Sequence, residues 1–134
     1  MGISMKYNWL DEYVTSKKGA YKEYKVEWEV DRYMIRDKMF GMRGEDGKGK
    51  EIITLKLEPM YGQLLREQFK GDIVPGYYMN KDHWNSVYVD RNVPDDVLKD
   101  MADKSYELIL GGFSKKAQQE ILESIIITDN MRGD

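Results

Sequence analysis

The sequence predicts an α+β domain, an antiparallel β-sheet packed against helices, and three observations lead there. Apolar and polar residues alternate between Val26 and Leu57, the pattern of half-buried strands joined by short turns. Stretches with helical spacing flank that block instead of alternating with each strand, which separates α+β from a doubly wound parallel sheet. The 134 residues contain no internal repeat and no linker rich in Pro, Gly or Ser. One core suffices for a chain of that length.

Each element follows from local chemistry. Ser4 is placed to cap a first helix running to about Lys17, with Trp9, Leu10, Tyr13 and Val14 on one apolar stripe. Gly19, after Lys17 and Lys18, stops it. Val26, Trp28 and Val30 alternate with acidic residues as a strand. Tyr33 to Arg36 and Met39 to Met42 flank Asp37-Lys38 at hairpin spacing. Gly44 to Gly49 reads as a longer turn, and Ile53, Leu55 and Leu57 mark the next strand, giving a meander of three or four strands. Pro59 suits the first turn of a second helix, whose Met60, Leu64 and Leu65 face the core and which Gly71 ends. Ile73 to Trp84 reads as irregular, and Asn85 to Asp90 as a short strand with Val87 and Val89 on one face. Pro94, Asp95 and Asp96 open a third helix with the stripe Leu98, Met101, Ala102, Ser105 and Ile109. Ser114 caps a fourth, with Ala117, Ile121, Leu122 and Ile125 inward. The expected organisation is one domain over 1–128 and a frayed tail over 129–134.

Composition removes several function classes. Without cysteine there are no disulfides, thiolate metal sites or cysteine nucleophiles. The one histidine, His83, falls short of the three protein ligands of a catalytic zinc site, so no metal and no cofactor are expected. No run of residues is apolar enough for a membrane helix, and Met1 to Leu10 lacks a signal-peptide apolar region, so a cytoplasmic location is expected. The net charge of −3 opposes a polyanion partner. Its distribution does not: Lys17 to Lys56 holds eleven basic and eight acidic residues, whereas Asp90 to Asp134 holds six basic and ten acidic.

The segment Pro75-Gly76-Tyr77-Tyr78-Met79-Asn80-Lys81-Asp82-His83-Trp84-Asn85-Ser86-Val87 carries more information than any other. It resembles the signature of the MmcQ/YjbR family, roughly PGxHMNKxHWxTV, with Tyr78 and Ser86 where histidine and threonine are common. Lys18-Gly19-Ala20, Lys38-Met39-Phe40, Val93-Pro94, Ser105-Tyr106-Glu107-Leu108 and Ser114-Lys115-Lys116 match further family motifs in order. The resemblance spans about Leu10 to Lys116. It implies a bacterial protein with a CyaY-like α/β sandwich, a double-wing arrangement of hairpins, and DNA binding.

Two sets of candidate site residues follow. For DNA, Arg32, Arg36, Lys38 and Arg43 surround the first hairpin and Lys48 and Lys50 the next turn, where cations would meet phosphates. Asn80, Lys81 and His83 supply further donors on a connecting segment. The competing structural reading is that the hairpin charges guard a sheet edge and the loop residues satisfy backbone groups. For the alternative function, a small-molecule or peptide module, Trp28, Tyr77, Trp84 and Tyr88 would line an apolar pocket. No nucleophile frame accompanies His83, so no catalytic residue is assigned and a non-enzymatic binding domain is expected.

Overall fold

The computed structural model describes residues 6–76 and 79–132, with side chains described to residue 123. Six strands form one antiparallel sheet in the order β1-β2-β3-β4-β6-β5. They are β1 (Ala20–Lys25), β2 (Val30–Ile35), β3 (Lys38–Glu45), β4 (Glu51–Lys56), β5 (Ile73–Pro75) and β6 (Trp84–Tyr88). The helices are α1 (Leu10–Thr15), α2 (Pro59–Gln68), α3 (Asp95–Gly111) and α4 (Lys115–Arg132). The α+β expectation holds, with a larger sheet than the meander alone. No helix among the described residues is long and apolar enough to cross a membrane.

A hairpin that the alternation did not predict, β1–β2, precedes the expected one. Val26 to Glu29 is a turn, not a strand, and the residues that pair with β2 are Ala20–Lys25. Trp28 N and Glu29 N both donate to the Lys25 carbonyl, and Glu29 takes a left-handed φ of 55°. The apolar alternation of Val26, Trp28 and Val30 therefore spans a turn and a strand end; Val26 is 70% exposed. The β2–β3 turn is centred on Arg36 and Asp37, one residue earlier than the spacing suggested, since Ile35 pairs with Lys38 and Arg36 takes φ 51°. β3 then carries an extra residue. Tyr33 pairs with Gly41 but Met34 with Met39, leaving Phe40 as a bulge.

The core fills one face of the sheet. Tyr33, Ile35, Phe40, Ile53, Leu55 and Val87 pack there against Leu10 and Val14 of α1, Leu65 of α2, and Leu98, Met101 and Ala102 of α3. Gly41 allows the layers to close, since a Cβ there would sit 2.6 Å from Leu55 Cδ2. α3 keeps its expected stripe, with Ile109 at its partly buried end. α1 is shorter than expected: Lys6 to Trp9 form turns, and Ser4 lies outside the described residues. α2 presents a different face. Met60 and Leu64 point to solvent, while Gly62 and Leu65 are buried. The reason is Asn85, whose side chain would lie within 2.9 Å of a Cβ at Gly62, so the contact requires the glycine. In α4, Ala117 N donates to the Ser114 cap and Ile121 is buried, but Leu122 is exposed. Ile125 lies outside the described side chains. The backbone of α4 continues to Arg132, into the segment expected to fray. Ile73–Pro75, expected to be irregular, adds the short edge strand β5.

Two polar clusters fasten the N-terminal segment to the sheet. Arg43 donates to Glu51 (2.6 Å) and to the carbonyls of Tyr7 (3.0 Å) and Lys6 (2.8 Å). Asp11 accepts from Tyr33 and from Lys22, each at 2.8 Å. Burial opposes the charge on Asp11, but these hydrogen bonds, with the Lys22 and Arg43 charges, outweigh it and hold the carboxyl below its ordinary value. Burial and the Asp11 carboxylate push the Tyr33 hydroxyl far above its own.

Truncating Arg43 to Ala leaves Glu51 and two carbonyls without their donor. It is expected to lower unfolding free energy by about 2–4 kcal/mol in urea titration. Asp11 gives a second expectation. A carboxyl held low in the folded state stabilises above its unfolded value, near ~3.9, and that contribution is lost as pH falls through the folded value. The urea midpoint should fall between about pH 4 and pH 3, and less steeply in Asp11→Asn.

Candidate anion cleft

Most of the cations nominated from sequence are already committed. Arg43 is bound as described and is only 13% exposed. Arg32 pairs with Glu23, leaving its Nε buried without a partner, and its guanidinium lies over the Trp28 ring. Arg36 reaches Glu120 at 3.2 Å and Lys50 reaches Asp90 at 3.3 Å. Lys48 and Lys50 belong to the β3–β4 turn, at the end of the sheet opposite the β2–β3 turn. The nominated basic residues therefore do not make one continuous wing face.

One subset does come together. β3 begins at Lys38, β4 ends at Lys56, and His83 immediately precedes β6, so antiparallel pairing brings all three to the same end of the sheet. The C-terminal end of α3 arrives at that end too. Lys38, Lys56 and His83 line a cleft of about 350 Å³ whose other wall is Leu108, Ile109, Gly112 and Phe113. Neither lysine has an ion-pair partner among the described residues. Lys56 lies 5.9 Å from the Trp84 ring centroid, which orients it without neutralising it. The carbonyl end of α3 is the negative pole of its dipole and favours cations nearby.

The loop before β6 is a folding device as well as a site. Asn80 Oδ1 accepts from Asp82 N, and the Asn80 carbonyl accepts from His83 N and Trp84 N. The His83 carbonyl in turn accepts from Leu57 N at 2.7 Å. These bonds fix the backbone on both sides of His83. Lys81 is exposed. Of the expected apolar pocket, Trp84 is buried, Tyr88 is half-buried opposite Ile52, and Trp28 stands half-exposed on the first hairpin; Tyr77 lies outside the described residues. Lys56 was not singled out from sequence. It reads there as an ordinary polar position between Leu55 and Leu57, and only the strand order reveals its neighbours. Among the described residues no group of three or more His, Cys, Asp and Glu could hold a metal ion.

Comparisons with known proteins agree with this architecture. The chain is similar to the Escherichia coli O157:H7 protein YbdF, 36% identical over 93 residues, which is 69% of this chain and 75% of that protein. It is 31% identical over 96 residues to YjbR of Escherichia coli K12, covering 72% of this chain and 80% of that one. Both relatives are described as uncharacterised. In structure it resembles a Deinococcus radiodurans protein of the domain family DUF419, with a TM-score of 0.76 at 24% identity over 90% of this chain and 91% of the other. A Pseudomonas syringae protein superposes with a TM-score of 0.63 at 22% identity over 78% and 98%. The YjbR family model matches residues 15–108. That span takes in every strand, α2 and the three polar residues of the cleft, and the chain belongs to the YjbR family.

Proposed function

We propose that this domain is a non-enzymatic binder of duplex DNA that contacts phosphates with little sequence discrimination. The contact is made at the sheet end carrying Lys38, Lys56 and His83. One observation carries the reading: two lysines with no ion-pair partner among the described residues line a single cleft, while Arg32, Arg36, Arg43 and Lys50 are paired with carboxylates. Such an ammonium gives up no internal ion pair when a phosphate approaches, and counterion release from the duplex supplies the driving force. Lys81, two residues before His83 in the chain, is exposed as well.

The same physics keeps the interaction weak. The net charge of −3 repels a polyanion at long range, and the carbonyl end of α3 competes for the same cations. Affinity in the nonspecific range, about 10⁻⁴–10⁻⁶ M at physiological salt, is the expectation.

Fluorescence anisotropy with a labelled random-sequence duplex, titrated across salt, tests this. The Lys38→Ala/Lys56→Ala variant should bind more weakly, and the slope of log K against log salt should become shallower by about 1.8, two phosphate contacts' worth. Lys48→Ala/Lys50→Ala, at the other end of the sheet, should leave the slope nearly unchanged. An absence of saturable binding at ~50 mM salt with protein well above ~100 µM, or equal losses in both variants, would rule the reading out.

A further inference from the structure

The face of the sheet turned away from the core has a buried apolar layer of its own. Val30, Met34, Met42, Ile52 and Trp84 are buried yet stand outside the main core cluster. By strand alternation they project opposite to Tyr33, Ile53 and Leu55. The Thr54 and Ser86 hydroxyls, also on this face, satisfy each other at 2.8 Å. Connecting segments roof part of it. The Val26–Glu29 turn contributes Glu27 and Trp28 on one side, and the segment before β6 contributes Met79 on the other. Between them a groove of about 460 Å³ stays open, with Val30, Met42, Gly44 and Ile52 as its floor and Trp28 and Met79 as its walls.

We propose that this groove is a second binding site, for a flat, apolar aromatic molecule carrying no negative charge. Its volume falls within the range of small-molecule sites, about 300–1,000 Å³. Trp28 is held in place without being buried: it is 51% exposed, its turn includes the left-handed Glu29, and Lys25 and Arg32 lie 5.6 and 5.8 Å from its ring. A left-handed non-glycine residue costs about 1–2 kcal/mol, so the turn that positions this indole is not the least strained one available. Gly44 keeps the floor low. A Cβ at position 44 would collide with Val30 Cγ1, so the two floor residues fit together only with glycine there. The ionisable residues of the lining, Glu27 and Glu45, are both acidic, and the nearby Lys25 and Arg32 are paired with Glu27 and Glu23, so the surroundings keep a net negative charge that disfavours anions. The thioethers of Met42 and Met79 are soft partners for an aromatic edge, and the Trp28 ring offers a stacking surface. This site is chemically the converse of the lysine cleft and independent of it.

Titration of the full chain with Nile red, a neutral flat aromatic dye, tests the proposal, alongside the anionic dye anilinonaphthalene sulfonate. Saturable one-to-one binding of Nile red is expected, with little response from the anionic dye. Trp28→Ala should weaken Nile red about 10-fold, with an unchanged urea midpoint showing that the fold is intact. Lys38→Ala/Lys56→Ala should leave it unaffected. In methyl spectra of the nine methionines, the Met42 and Met79 signals should move with the dye. A response that never saturates, or saturable binding that leaves the Met42 and Met79 methyls unmoved, would overturn the proposal.

Discussion

The bulge at Phe40 is the constraint from which the rest of the molecule follows. One extra residue in β3 turns Phe40 toward the core, where its ring meets Tyr33 at 6.4 Å and Tyr106 at 5.8 Å between centroids. It also leaves the Phe40 carbonyl for a partner outside the ladder, and the buried hydroxyl of Ser105 donates to it. Ser105 and Tyr106 are adjacent on α3, so one bulge fixes that helix by a ring contact and a hydrogen bond together. With α3 set across β3 and β4, its last turn reaches the sheet end where Lys38, Lys56 and His83 lie. A local irregularity of one strand thereby decides where a helix pole meets two lysines and a histidine.

The sheet also divides the chemistry of the protein. One face is closed by helices and contains the large aliphatic core. The other is closed by turns and loops and includes smaller and polar groups such as Thr54 and Ser86. Loops seal a surface less completely than helices do, because they lack a continuous apolar stripe. Open volume accordingly remains at the turn-covered face and at the sheet end, and both candidate sites are there. The helix-covered face is closed down to Gly41, where there is no room for a single additional carbon.

Much of this was readable in the residues, and the exceptions have physical causes. α3 was legible because its 17 residues repeat one stripe and begin with Pro94, Asp95 and Asp96. β4 was legible because Ile53, Leu55 and Leu57 alternate on the face that meets the helices, although the burial of Ile52 and Thr54 on its other face left no such signal. The first hairpin was not, since Tyr21 and Tyr24 are exposed on an edge strand and β1 buries too little to leave a pattern. Trp28 and Val26 supplied a false one, being apolar residues of a turn. On α2 the contact face is set by the absence of a side chain at Gly62, which apolar counting cannot register. Within the anion cleft, His83 and Lys38 were singled out from the chain itself, but Lys56 needed the β4–β6 pairing, a contact between distant segments. The ion pairs of Arg32, Arg36 and Lys50 were equally invisible, because their carboxylate partners come from elsewhere in the chain.

Several hydroxyls bridge the two ends of the fold. Tyr7 donates to the Val93 carbonyl, Tyr13 to Asp103, and Tyr106 to the Lys18 carbonyl, across 86, 90 and 88 residues of chain. During synthesis the segment around α1 leaves the ribosome long before α3 exists. At about 5–20 residues per second the delay is roughly 4–18 s. Throughout it, the β1–β4 meander can zip locally while Leu10 and Val14 have no helix to close over them. The nascent chain thus carries an open core face for seconds, a period in which chaperone capture competes with completion of the native fold.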